Sequence, residues 1–169
     1  MLFFTDSVLC GISALALGTN APRTLRAEAF EYERADGVSP FGSTTKVAPE
    51  KAILVGDLNI APREDDVWNH KQLLKIVSHT PIEVEHLGAA QDAGNWVDIT
   101  RKDIPEGQLY SWWSYRARDW DTADKGRRLD HVWATPDIAG AGHSSRILRA
   151  ARGWEKPSDH APVLATFDL

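Results

Sequence analysis

The stretch "AILVGDLNIAP", residues 52–62, constrains this chain more than any other. Its apolar run has the length and composition of a buried β-strand, and it ends in Gly-Asp-Leu-Asn and then a proline-bearing turn. A strand that is apolar along its body and polar at its end positions those polar groups for work. Here they are a carboxylate, Asp57, and an amide, Asn59.

At 169 residues, 43% of them apolar and 25% charged, the chain has the material for one globular domain with a core. Cys10 is the single cysteine, which excludes an intrachain disulfide and a cysteine-based structural zinc site. A reducing, cytoplasmic setting is therefore expected. The opening "MLFFTDSVLCGISALALGTNA" lacks the basic start of an export signal, and Asp6 interrupts a run already too short to span a bilayer, so no membrane association is expected. The formal net charge is -5, but it is unevenly placed: residues 1–99 hold 8 basic and 14 acidic side chains, and residues 100–169 hold 11 and 10. Five of the seven tryptophans, Trp112, Trp113, Trp120, Trp133 and Trp154, also fall in the more basic part. One locally basic, aromatic face is compatible with a polyanion even when the total charge is negative.

The pattern changes near residue 48. Before it, "EYERADGVSPFGSTTKVAPE" is rich in Gly, Pro, Ser and Thr without periodicity, which reads as loop or linker; residues 1–48 are accordingly expected to be a leader and 49–169 the folded unit. After it, "DDVWNHKQLLKIVSH" spaces apolar residues at helical intervals behind an acidic start. "PIEVEHLGAAQDAG" begins with a helix-initiating proline and ends near a glycine. "RLDHVWAT", "SSRILRAAR" and "APVLATFDL" have strand length and composition. Strands and helices in mixed order predict a layered α/β or α+β domain.

Acid-bearing pairs recur beside these apolar runs: Asp57 with Asn59, Asp130 with His131, and Asp159 with His160. Any one of them reads most simply as a cap or an Asx-turn. Three together suit a hard divalent cation, which takes one or two carboxylates, with Asp159 and Asp57 as candidate ligands. An aspartate and histidine held in one orientation beside such an ion suit phosphodiester hydrolysis, which needs an activated water and a donor to the phosphoryl oxygens. In "YSWWSYRARDW" strand alternation would set Trp112 and Ser114 on one face and Trp113 and Tyr115 on the other.

"ILVGDLNIAP", "YSWWSYRARDWD", "GRRLDHVWAT" and "EKPSDHAPVLATFDL", in that order over residues 49–169, resemble the C-terminal half of the exonuclease III family, abasic-site endonucleases and 3'-exonucleases of the endonuclease/exonuclease/phosphatase superfamily. The resemblance implies a DNase I-like four-layer sandwich, here mainly its C-terminal sheet with flanking helices. It also implies double-stranded DNA with abasic sites or 3' ends as substrate, Mg²⁺ or Mn²⁺ as cofactor, and a monomer when complete. On it, Asp57 orients or deprotonates the attacking water, Asn59 contacts the scissile phosphate, Asp159 supports the metal, His160 contacts the phosphate and Asp130 holds that histidine. Trp112 and Leu129 would line a slot for the base-free sugar, and Tyr115, Arg116, Arg118, Arg127 and Arg128 would meet the DNA. Arg127 stands where some relatives carry an aromatic pocket residue.

The family's first-half motifs, including a metal-binding glutamate, have no counterpart among Glu28, Glu31, Glu33, Asn20 and Tyr32. Two alternatives therefore stand beside the DNA-repair nuclease: another superfamily phosphoesterase of the phosphoinositide or sphingomyelin type, and a catalytically silent fragment. A sheet without its partner is further expected to expose an apolar face, at a cost of about 25 cal/mol per Å², leaving the isolated chain aggregation-prone and nearly inactive.

Overall fold

The computed structural model describes residues 13–16 and 51–168. The leader expected over residues 1–48 lies outside that range except for Ser13–Ala16, which forms strand β1. In chain order there follow β2 (Ala52–Asp57), a 3₁₀ turn (Glu64–Asp66), α1 (His70–Leu73), α2 (Pro81–Ala93), β3 (Val97–Asp98) and α3 (Ile99–Asp103). Then come β4 (Trp112–Trp113), α4 (Trp120–Ala123), β5 (Gly126–Arg127), β6 (Asp130–Ala134), α5 (Pro136–Ala139), β7 (His143–Ile147), a second 3₁₀ turn (Arg149–Gly153) and β8 (Val163–Phe167). The result is the mixed α/β architecture that the sequence predicts.

The main sheet runs β1-β2-β6-β3, with β2 and β6 antiparallel at its centre. Alternation along those two strands divides the core. Ile53, Val55, Val132 and Ala134 face Ile99 of α3, Ile138 and Ala139 of α5, and Val163 of β8. Ala52, Leu54 and Trp133 face Val84 and Leu87 of α2, with Trp96. Both faces of β2 and β6 are thus covered, which corrects the expectation of a bare apolar face there. The antiparallel β7-β8 hairpin supplies the cover on one side, and the large exposed apolar residues among those described, Ile76, Val77, Ile82, Tyr115 and Trp154, all lie elsewhere.

Helix α2 forms where its signals fall. Thr80 caps it, Glu83 returns a carboxylate to the Thr80 backbone N–H at 2.9 Å, Pro81 occupies the first turn and Gly94 closes the end. The helix expected over 65–79 does not form as one piece. Asp66 is wholly buried against Arg101 and Arg128, a place no solvated helix face could give it. Asn69 then caps a separate short helix by accepting from the Gln72 N–H at 3.0 Å, and Ser78 turns left-handed with φ of 81°. Two other runs are shorter than predicted: "SSRILRAAR" is strand only to Ile147, and the aromatic block is strand only over Trp112–Trp113. Tyr115 therefore does not share the buried face of Trp113 but stands exposed.

Candidate active site at converging strand ends

The register of β2 against β6 sets Asp57 directly opposite Asp130. Both project to the β7-β8 side of the sheet, the face of Val55 and Val132. The ladder continues past them, with the Leu58 N–H donating to the Leu129 carbonyl at 3.0 Å. Ser111 ties in the remaining segments. Its hydroxyl accepts the N–H groups of Leu129 and Asp130 at 3.0 and 3.1 Å, while its carbonyl accepts the Ala161 N–H at 2.7 Å. The Trp113 N–H donates to the Asp159 carbonyl at 2.9 Å, so residues 159–161 lie along 111–113, with Trp112 paired to His160.

His160 consequently stands between the two carboxylates. Its Nδ1 donates to Asp130 Oδ2 at 2.9 Å, and its Nε2 lies 3.8 Å from Asp57 Oδ2. Burial works against its charge, but the hydrogen bond to Asp130 and the negative charges of Asp130, Asp57 and Asp159 push it up to about 9. Burial raises the Asp57 carboxyl, and the charge of Asp130 opposite raises it further. Asn59 adopts a left-handed backbone, φ 55°, in which its N–H donates to Asp57 Oδ1 at 2.9 Å and its Nδ2 to Oδ2 at 3.0 Å. That conformation is one asparagine tolerates and most residues resist.

Asp57, Asp130 and His160 bring three ligand atoms within 4.8 Å of one another. The donor set fits a hard divalent ion: two carboxylates that repel each other across one strand pair and remain partly exposed, leaving room for water. Asp159, expected as a ligand, is not one of the three; its Oδ2 accepts the Trp112 indole N–H at 2.9 Å and so orients that ring.

The other expected residues divide. Trp112 is half-buried over Leu129, which is almost fully enclosed with Ala61, Val67 and Leu73. The Arg127 guanidinium stacks on the Trp112 ring at 5.4 Å and donates to the Val77 carbonyl at 2.8 Å. Arg116 and Arg118 are exposed, and the exposed Tyr115 hydroxyl donates to the Pro157 carbonyl at 3.0 Å. Arg128 is a correction. It is completely buried, its Nε donating to Asp66 Oδ1 and its Nη1 to Asp98 Oδ2, both at 2.7 Å, and no phosphate reaches it.

Sequence reasoning passed over three residues that organise the site. Ser111 hid among aromatics in "YSWW". His131 was visible as the neighbour of Asp130 but points to the opposite face and is buried. His79 lay at the end of an expected helix; its signal was its place directly before the Thr-Pro that opens α2.

Comparison with known proteins fits this geometry. Over 121 residues the chain is 30% identical to exodeoxyribonuclease III of Haemophilus influenzae, an alignment that covers 68% of this chain and 45% of that protein. A 3' phosphatase from Neisseria, solved with a product DNA hairpin, superposes with a TM-score of 0.66 at 34% identity, over 70% of this chain and 46% of the other. An AP endonuclease from Archaeoglobus fulgidus gives the same score at 31% identity, over 69% and 45%. The chain spans about half the length of the relatives it matches. Its architecture is that of the DNase I-like fold. The sequence pattern of the Endonuclease/Exonuclease/phosphatase family matches residues 3–160, and with the paired aspartates, the intervening histidine and the left-handed asparagine in place, the chain belongs to that family.

Proposed function

We propose that this chain carries the catalytic strand ends of a DNA-repair nuclease that hydrolyses phosphodiesters on the 5' side of abasic sites and from 3' ends. The observation that supports it most is the pairing of Asp57 with Asp130. Like charges directly opposite each other on antiparallel strands are destabilising, and the one imidazole between them, His160, offsets only one of the two, which leaves a net negative site suited to a cation.

Asp57 and Asp130 are the groups suited to hold Mg²⁺ or Mn²⁺, which when bound supplies positive charge to the phosphoryl oxygens as negative charge develops there. Asp57 also accepts a proton from, or orients, the attacking water. Protonated His160, kept in place by Asp130, offers Nε2–H to a phosphoryl oxygen, and the Asn59 amide fixes Asp57 and meets the same phosphate. Trp112, anchored by Asp159 and flanked by Arg127, presents an apolar wall suited to a sugar without its base. Tyr115, Arg116 and Arg118 form an exposed rim suited to the DNA backbone. The working form is a cytoplasmic monomer, with the rest of the site contributed by a first half like that of its relatives.

The test is incision of an abasic-site duplex by the purified chain with Mg²⁺, with EDTA, and after adding an N-terminal half from a relative. Metal-dependent incision that rises sharply with the added half is expected. Full activity in chelator would overturn the metal assignment, and hydrolysis of a phosphoinositide with no incision under any condition would overturn the DNA assignment.

A further inference from the structure

We propose that His79 and His131 are positioning residues, which hold the Asp57–Asn59 turn in its active shape by donating to the two carbonyls that follow it. The inference rests on the reading of Asp57 and Asn59 as site residues. His131 Nε2 lies 2.9 Å from the Ile60 carbonyl and His79 Nδ1 lies 2.6 Å from the Ala61 carbonyl. A carbonyl only accepts, so each of those nitrogens carries the proton.

The two histidines come from different elements. His131 is a β6 residue on the α2 face of the sheet, its ring edge-on to Trp133 at 5.8 Å, and His79 enters from the segment before α2. Both are almost fully buried, where a polar ring without a partner is costly. The tautomer of His79 is fixed from behind: its Nε2 is 2.8 Å from His70 Nδ1, which must then be the donor, and His70 Nε2 faces Glu64 at 3.5 Å. The Ala61 N–H donates in turn to the Ser78 carbonyl at 2.8 Å, so residues 60 and 61 are gripped at three points.

The turn needs that grip. Asn59 sits at positive φ, and its contacts with Asp57 exist only while it stays there. Relaxation of residues 60 and 61 would let Asn59 return to an ordinary backbone conformation, releasing both oxygens of Asp57. A fixed left-handed residue that holds the Asp57 carboxylate thus depends on groups that touch no substrate.

Side-chain amides distinguish this role from simple packing, because the asparagine amide nitrogen falls where histidine Nδ1 lies and the glutamine nitrogen falls where Nε2 lies. The measurement is amide hydrogen exchange at Asn59 in the full chain, together with Mn²⁺ affinity by electron paramagnetic resonance. His79→Leu and His131→Leu should each lower Asn59 protection by about tenfold, the effect of one lost hydrogen bond, and weaken Mn²⁺ binding. Rescue should be reciprocal: Asn but not Gln at position 79, Gln but not Asn at position 131. Unchanged protection in both leucine variants overturns the proposal, as does rescue indifferent to where the donor falls. If a leucine variant fails to fold, the Asn and Gln variants, both polar and alike in size, decide alone. A chain that shows the reciprocal pattern yet incises no DNA even with an N-terminal half from a relative added would refute the nuclease reading and leave the clamp standing.

Discussion

Two clusters of acids and bases lie a few residues apart in this fold, and they are built to opposite ends. In the first, Asp66 and Asp98 meet Arg101 and Arg128: Asp66 has a guanidinium on each oxygen, Arg128 bridges to Asp98, and Asp66 and Arg128 have no exposed surface. Every carboxylate there has a cationic partner, including Asp65 at 3.3 Å from Arg101. In the second, Asp57 and Asp130 share a single imidazole and stay partly open to water. The first cluster is buried and paired, and joins the 3₁₀ turn, β3, α3 and the segment leading into β6. The second is short of positive charge and of ligands. Charge that is fully matched and buried serves structure, whereas charge left unmatched at a strand end is available to a cation or a phosphate.

The contrast breaks most readily at Asp66. Asp66→Ala leaves two buried guanidinium groups without their carboxylate and should cost about 3–5 kcal/mol of stability, read from denaturant unfolding. Asp57→Asn removes a repulsion and should change stability by less than about 1 kcal/mol. An equal loss at both positions would erase the distinction drawn between the clusters.

Activity should divide the other way. Asp57→Asn, His160→Ala and Asp159→Ala should each lower abasic-site incision by about a hundredfold or more without unfolding the chain, the scale on which proton-transfer and positioning groups act. Mg²⁺ should raise the melting temperature of the parent chain and not of Asp57→Asn; an equal rise in both would place the cation elsewhere.

The two clusters should also respond to opposite ends of the pH scale in metal-free buffer. Burial would raise the Asp98 carboxyl, but the nearby His131 ring at 3.9 Å, the Arg128 guanidinium at 2.7 Å and the Arg101 backbone N–H outweigh it and hold it well below the usual carboxylate range. Its contribution to stability is present above the unfolded carboxylate value of 3.8 and is lost as acid drives the pH down toward the depressed folded value. His160 is shifted upward, so its contribution is complete below 6.5 and disappears as pH rises through about 9. Thermal melts across this range should show both losses, and His160→Gln should flatten only the alkaline one.

The smallest effect sharpens the reading of the arginines. Arg116→Ala should leave stability within about 0.5 kcal/mol and reduce the salt dependence of DNA binding by about one phosphate contact. Arg128→Ala should instead behave as a folding variant, exposing the buried carboxylates of Asp66 and Asp98.

Where an element is decided by its own residues, it could be read in advance. Strand β2 is apolar because it is covered on both faces, and α2 announces itself through Thr80, Pro81, Glu83 and Gly94. The break within 65–79 could not be read, because it depends on Asp66 meeting Arg101 and Arg128, which lie 35 and 62 positions away. Arg127 and Arg128 are indistinguishable in the sequence, yet one stacks on Trp112 and the other is sealed in an ion network. The candidate catalytic side chains were legible because polar groups at the ends of apolar strands are conspicuous. Their supports were not: His79 and His131 act through backbone carbonyls, a role that leaves no spacing signature.

The bridging of Asp57 and Asp130 by His160 also makes the site depend on a segment distant in the chain. The aspartates become opposed once β6 pairs with β2, while the imidazole is made 30 residues after Asp130 and joins only when its segment docks along Ser111–Trp113. Detachment of that segment alone would leave both carboxylates in register with no histidine between them. On the function proposed, such a state is equipped to take up a cation but not to donate to a phosphate, so docking of one segment separates metal binding from phosphate binding.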